Sequence, residues 1–144
     1  LLDVSRKANN SNSLADPAIR RLFEGKNFVS FASLMKDGGP HVAPTWVDIE
    51  NGTILVNTAI GRIKHKNIER DERVALSIFD QNNPYEMVTV RGRVVQKITG
   101  SVADNHIDKL AKKYLGKDKY PYRAPGEERI LLKVEPMKVF HIKI

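Results

Sequence analysis

Asn57-Thr58-Ala59-Ile60-Gly61-Arg62-Ile63-Lys64-His65-Lys66-Asn67 decides the reading of this chain, because a strand runs directly into a glycine turn and a short basic helix. The preceding residues Thr53 to Thr58 are rich in β-branched side chains and end in two small polar ones, the pattern of a strand that stops at a turn. Gly61 lets a ligand approach the backbone without meeting a Cβ. A helix starting at Gly61 or Arg62 aims its first N–H groups and positive dipole end at the loop, where an anion is stabilised. Arg62 can fork onto phosphate oxygens and Lys64 adds a point charge. Lys64, Asn67 and Ile68 share one helix face. Ile60, Lys64 and Ile68 also form a line that reads as core-facing, so the lysine there needs a partner. The plainer alternative makes Arg62, Lys64, His65 and Lys66 the solvated side of a surface helix, paired with Glu69, Asp71 and Glu72. Neither a Walker A loop nor a Gly-x-Gly-x-x-Gly turn is present.

Working outward, Asp16-Pro17 starts a helix with Asp as N-cap and Pro at the first helical position, and Gly25 ends it. Ile19, Leu22 and Phe23 form its core stripe. Residues 1–13, rich in Asn and Ser, read as a mobile tail, and residues 14–144 as a single domain. Phe28 to Met35 is a buried strand, residues 36–40 a hairpin turn, and His41 to Glu50 its return strand, placed at an edge or bulge by Pro44. Asn51-Gly52 marks a second hairpin leading into Thr53 to Thr58. After the basic helix, which ends near Arg70, come strand Arg73 to Asp80 and a long strand, Glu86 to Thr99, in which Gly92 suggests a bulge or a barrel bend. A second long helix spans about Val102 to Leu115 with Gly116 as its stop. Two last strands follow, Arg129 to Glu135 and Lys138 to Ile144, divided by Pro136. Short-range hairpins with few helices favour a closed antiparallel barrel over a parallel sheet.

Composition excludes several functions. The chain has no cysteine, so disulfides and thiolate chemistry are absent. His41, His65, His106 and His141 do not fall in a metal-ligand spacing, and no metal is expected. No apolar run approaches the length of a membrane span and no leader pattern opens the sequence, which makes a soluble cytoplasmic protein the expectation. The net charge of +7 suits an anionic small molecule, an acidic surface or nucleic acid. The strands do not interleave exposed aromatics with Lys or Arg as a nucleic-acid barrel would, so nucleic acid is the weaker alternative. Asp48 and Glu86 read as solvated strand residues and His41 as a surface residue. No catalytic pair of carboxylates or Ser-His-Asp set is visible.

Four stretches together resemble the FMN-binding split-barrel family and its pyridoxamine-phosphate-oxidase-like, deazaflavin-dependent branch. They are Pro-His-Val-Ala-Pro-Thr-Trp at 40–46, Leu-Val-Asn-Thr-Ala-Ile-Gly-Arg-Ile-Lys-His-Lys-Asn-Ile at 55–68, Arg-Asp-Glu-Arg-Val-Ala-Leu-Ser at 70–77 and Val-Arg-Gly-Arg-Val at 90–94. The resemblance implies a mainly β split barrel with helices, forming a homodimer with a flavin-type cofactor, FMN or the deazaflavin coenzyme F-420, at the interface. It assigns Asn57, Thr58, Arg62, Lys64 and Asn67 to the cofactor phosphate. Pro44, Thr45 and Trp46 would lie along the ring, although Trp46 reads equally as plain core. Pro84 and Tyr85 would come from the partner chain, and Tyr85 could also donate a hydrogen bond to substrate or ring. The activity implied is hydride transfer to or from a small organic substrate, with a non-catalytic cofactor carrier as the alternative. Oxidases of pyridoxamine phosphate carry a further arginine-rich strand and a C-terminal Arg-x-His region, which this sequence does not show. The Gly-Arg-x-Lys-x-x-Asn pattern points to the deazaflavin-using branch instead.

Overall fold

The computed structural model describes residues 13–144. All of the tail expected over residues 1–13 except Ser13 lies outside them. Helix α1 (Pro17–Glu24) begins as its sequence dictates, with the Asp16 carboxylate accepting the Ala18 N–H at 2.9 Å. Ile19, Leu22 and Phe23 on one face are fully buried. Strands β1 (Val29–Leu34) and β2 (Pro40–Thr45) form a hairpin, and β3 (Asp48–Glu50) and β4 (Thr53–Ala59) a second one. The second turns on Asn51 and Gly52, both at positive φ, as a tight hairpin loop requires. Helix α2 (Ile63–Arg70), β5 (Arg73–Asp80), β6 (Asn83–Ile98), α3 (Ser101–Leu115) and β7 (Arg129–Lys143) complete the described chain. The seven strands form one antiparallel sheet in the order β2-β1-β5-β6-β7-β4-β3. Its concave face encloses the main core, which includes Phe31, Val56, Leu76, Val90 and Leu132. A smaller cluster of Leu55, Ala103 and Leu131 joins β4 and β7 to α3 on the other face.

The expected continuous strand from His41 to Glu50 is broken at Trp46-Val47. Its two halves become β2 and β3, the opposite edges of the sheet. Thr45 and Asp48 are three peptide units apart, so those edges approach within about 11 Å there. The barrel is therefore split. Its seam is spanned by the chain and not by a ladder, which corrects the closed barrel read from the hairpins and agrees with the split barrel. Side chains of α3 supply what a neighbouring strand would have supplied. The Val47 N–H donates to the Tyr114 hydroxyl at 3.2 Å, and Lys113 Nζ donates to the carbonyls of Val47 and Phe23 at 2.8 and 2.6 Å. Tyr114 in turn donates to the Asn27 carbonyl at 2.6 Å. Burial lowers the Lys113 ammonium to about 8 and raises the Tyr114 phenol to about 12.

The two final strands expected around Pro136 form one strand, β7, which pairs with both β6 and β4. Pro136 sits opposite Gly92 and Lys138 opposite Arg91, so Met137 is bulged and the ladder continues past the proline. A Cβ on Gly92 would lie 2.4 Å from the Glu135 carbonyl oxygen, so this crossing admits only glycine.

Asp48 and Glu86, expected to be solvated, are buried. Glu86 is only 2 % exposed because Arg21 bonds one of its oxygens and His141 Nε2 lies 3.0 Å from the other. Asp48 accepts the Ile49 N–H at 2.8 Å and lies 3.4 Å from Lys109. His41, expected at the surface, is half-buried, with a buried Nδ1 that finds no partner among the described residues. No helix among the described residues is long and apolar enough to cross a membrane.

Candidate functional site

The strand-turn-helix stretch folds as its sequence suggests. After β4, the Arg62 N–H returns to the Ala59 carbonyl at 3.1 Å, and Gly61 takes the positive φ of 92° that this turn demands. His65 Nδ1 accepts the Gly61 N–H at 3.1 Å and fixes the turn. Arg62 is the N-cap of α2 but makes no capping bond, so no side chain of its own takes the first-turn N–H groups.

Beside this turn lies a cleft of about 180 Å³. Its wall comprises Pro44, Thr45 and Trp46 from the seam, Asn57 and Thr58 from β4, Arg62 and Lys64 from the α2 start, and Arg129 from β7. Seven of the ten residues predicted from the sequence thus meet in one place. Lys64 is half-buried and makes no ion pair among the described residues. Burial, and then the neighbouring Arg62 charge, lower its pKa. The line Ile60, Lys64, Ile68 is core-facing only at Ile68, since Ile60 is exposed. The plainer reading of the basic turn therefore holds for Lys66 in its exposure and for His65 in its pairing with Glu69 at 3.2 Å, but not for Lys64.

Asn57 has no amide group left over for a ligand. Its Nδ2 donates to the Ala103 carbonyl at 3.0 Å and faces His106 Nδ1 at 3.1 Å, while its Oδ1 accepts from Arg129 Nε at 2.9 Å. Its part is to hold Arg129, which the sequence reading missed. That guanidinium is 3 % exposed, stacks 5.0 Å above the Tyr120 ring and reaches Glu127 at 3.2 Å. Burial pulls its pKa below the ordinary value, though an arginine stays charged. Because His106 Nδ1 accepts from Asn57, the ring proton belongs on Nε2, 3.8 Å from Asp48 and too far for a hydrogen bond. Burial pushes His106 down to about 4.

Three predicted residues stand elsewhere. Asn67 is turned away from the cleft. Its Nδ2 donates to Ser33 Oγ at 3.0 Å and its Oδ1 accepts from Arg70 at 2.6 Å, so it ties α2 to β1. Pro84 and Tyr85, at the head of β6, are exposed and do not line this cleft, and their expected role was toward another copy of the chain. Trp46 satisfies both of its readings. It lies parallel to Tyr114 at 5.3 Å and edge-on to Tyr120 at 5.9 Å, yet it also lines the cleft. Phe28, Tyr120 and Tyr122 add aromatic walls that the sequence reading did not single out. The pairing Tyr120-Pro121-Tyr122 was visible in the sequence, but nothing local to it said that the loop folds back over β4.

This donor set fits a group with a phosphate end and a flat aromatic body: Arg62, Lys64 and Arg129 as cations, Thr58 as a hydroxyl, and Trp46 and Tyr120 as walls. Sites that enclose a drug-sized ligand run from about 300 Å³ upward. The cleft of about 180 Å³ can therefore hold the phosphate end but not the whole of such a group.

The family described as "Pyridoxamine 5'-phosphate oxidase" matches residues 15–143. No curated protein matches the chain significantly. Among solved structures, an F420 reductase is 25% identical, with TM-score 0.73 over 83% of this chain and 94% of that one. Protein Rv2991 of Mycobacterium tuberculosis is 17% identical, with TM-score 0.70 over 92% of this chain and 86% of that one. General Stress Protein 26 of Bacillus anthracis is 18% identical, with TM-score 0.67 over 90% and 94%. The last two share the fold.

Proposed function

The chain belongs to the pyridoxamine 5'-phosphate oxidase family, and from that premise we propose that its cleft binds the phosphate end of a flavin-type cofactor, deazaflavin F-420 or FMN. We further propose that the protein is an oxidoreductase acting on a small organic substrate. The observation that carries this is the meeting of Arg62, Lys64 and Arg129 beside aromatic walls, with Lys64 half-buried and unpaired among the described residues. A buried ammonium without a counter-charge costs stability, and a phosphate would offset that cost. The 25% identity to an F420 reductase supports the deazaflavin.

Each residue has a role in this reading. Arg62, Lys64 and the first-turn N–H groups of α2 hold phosphate oxygens, and the Thr58 hydroxyl adds a donor. Arg129, fixed by Asn57, sets the depth of the anion. Trp46 and Tyr120 bound the flat body and keep water from its inner face, and Pro44 and Thr45 line the seam along which it lies. When bound, the cofactor supplies hydride transfer at its ring. The protein orients and shields. A cleft too small for the whole cofactor also supports a homodimer in which a second copy, through Pro84 and Tyr85, covers the ring.

Titrating one purified sample with FMN and with F-420, read by absorbance and fluorescence, tests the proposal. Saturable uptake of either at micromolar concentration is expected, at one cofactor per chain. No uptake of either at high micromolar supply overturns it.

A further inference from the structure

Glu127 is the acid that reaches this cluster of cations. Its Oε1 accepts from Arg62 Nη2 at 3.0 Å and from Arg129 Nη1 at 3.2 Å. Its Oε2 is buried and has no partner among the described residues, although the side chain is only 7 % exposed. A buried carboxylate normally satisfies both oxygens, so this one is held by less than it can use. Glu127 does not itself line the cleft; its two arginine partners do.

The backbone explains its place. The Glu127 N–H closes a turn on the Ala124 carbonyl at 3.1 Å through Pro125 and Gly126, the latter at φ +74°. Next to it, the Glu128 carbonyl accepts the Ile60 N–H at 2.9 Å, which ties this turn to the one holding Gly61. Tyr120 belongs to the same segment and is anchored to α3 by its N–H bond to Asp108 at 2.8 Å. The segment that carries an aromatic wall of the cleft thus also carries an anion for its arginines.

We infer that Glu127 is a built-in rival for the ligand's anionic end, holding Arg62 and Arg129 until a phosphate takes them, and so selecting ligands by charge. The inference rests on the phosphate reading of the cleft given above. Three cations less one carboxylate leave a surplus of two positive charges, which matches a phosphate dianion. A neutral ligand has nothing with which to displace the carboxylate. A phosphate can recruit both guanidinium groups, at the expense of their bonds to Oε1. The opposite role, a prop that merely holds the arginines in place, predicts the opposite sign on substitution.

The Glu127→Gln variant keeps the shape and removes the charge, and Glu127→Ala removes both; circular dichroism checks that each is folded. FMN and riboflavin are titrated into each protein, and inorganic pyrophosphate is tested by thermal shift with no flavin present. The expected result is FMN binding five- to tenfold tighter in both variants, with riboflavin unchanged and a larger pyrophosphate shift than in the parent. Equal or smaller pyrophosphate shifts in the variants overturn the inference, whatever flavin does. If no protein takes up flavin but the variants respond more strongly to pyrophosphate, the cofactor reading falls while the rivalry of Glu127 stands.

Discussion

Two charged clusters in this barrel use similar ingredients to different ends. At one end, Arg21 of α1 bonds Asp80 at 3.0 Å and also bonds Glu86, while His141 takes the second Glu86 oxygen at 3.0 Å. Both carboxylates there are met by donors, and the cluster ties α1, β5, β6 and β7 together. At the other, Arg62 and Arg129 share one oxygen of Glu127, whose second oxygen has no partner, and Lys64 makes no ion pair among the described residues. Both clusters join segments far apart in the chain. What separates them is partnering: a cluster whose carboxylates are all met by donors contributes cohesion, whereas one with surplus cations leaves attraction over for a ligand.

The sharpest way to break this contrast is Arg21→Met. It leaves the buried Glu86 carboxylate with His141 alone, and we expect a loss of about 2–3 kcal/mol in urea unfolding, less than for a fully buried pair because Arg21 is half exposed, with cofactor affinity unchanged. A parallel fall in affinity would show that the two clusters are one unit. The histidines sharpen the contrast through pH. His106 faces Asn57, the residue that holds Arg129 of the open cluster, and its pKa is about 4 when folded against an ordinary 6.5. Between those values the unfolded chain binds the extra proton and the folded one does not. Stability is therefore complete above about pH 6.5 and falls by about 3 kcal/mol on acidification to about pH 4. Urea midpoints across that range should slope in the parent and flatten in His106→Gln.

Lys64→Ala is the converse of Arg21→Met. FMN or F-420 affinity should weaken 10- to 100-fold, about 1.4–2.8 kcal/mol, while the urea midpoint holds or rises because a half-buried unpaired charge is gone. A lowered midpoint with unchanged affinity would make Lys64 cohesive and erase the distinction. The smallest effect expected is that of salt. Raising NaCl from about 0.05 to 0.5 M should weaken cofactor binding about two- to fivefold, since surplus charge is screened, and leave the unfolding midpoint nearly unmoved.

Much of the architecture is local and so could be read in order along the chain. Asp16-Pro17, Asn51-Gly52 and Gly116 each encode their own turn or cap, whereas the bulge near Gly92 falls on Met137 of the facing strand. The break at Trp46-Val47 could not be read in this way, because what satisfies Val47 is Lys113 and Tyr114, more than sixty residues on. Asp48 and Glu86 failed for the same reason: their companions lie on other strands and helices. Within the site, Arg62 and Lys64 were legible because a turn and a helix start place them side by side. Arg129 was hidden as the first residue of an apolar strand, and its value depends on Asn57 across the β4 and β7 pairing. Asn67 shows the limit of helical spacing, which says that two side chains share a face but not whether that face meets ligand or β1.

Strand β7 follows every other described element along the chain, yet it lies in the interior of the sheet, with β6 on one side and β4 on the other. Without it, β2-β1-β5-β6 and β4-β3 would be separate fragments, each with an unprotected inner margin. Assembly must accordingly wait for residues 129–143, and a chain interrupted before them would expose two sticky ribbons to aggregation.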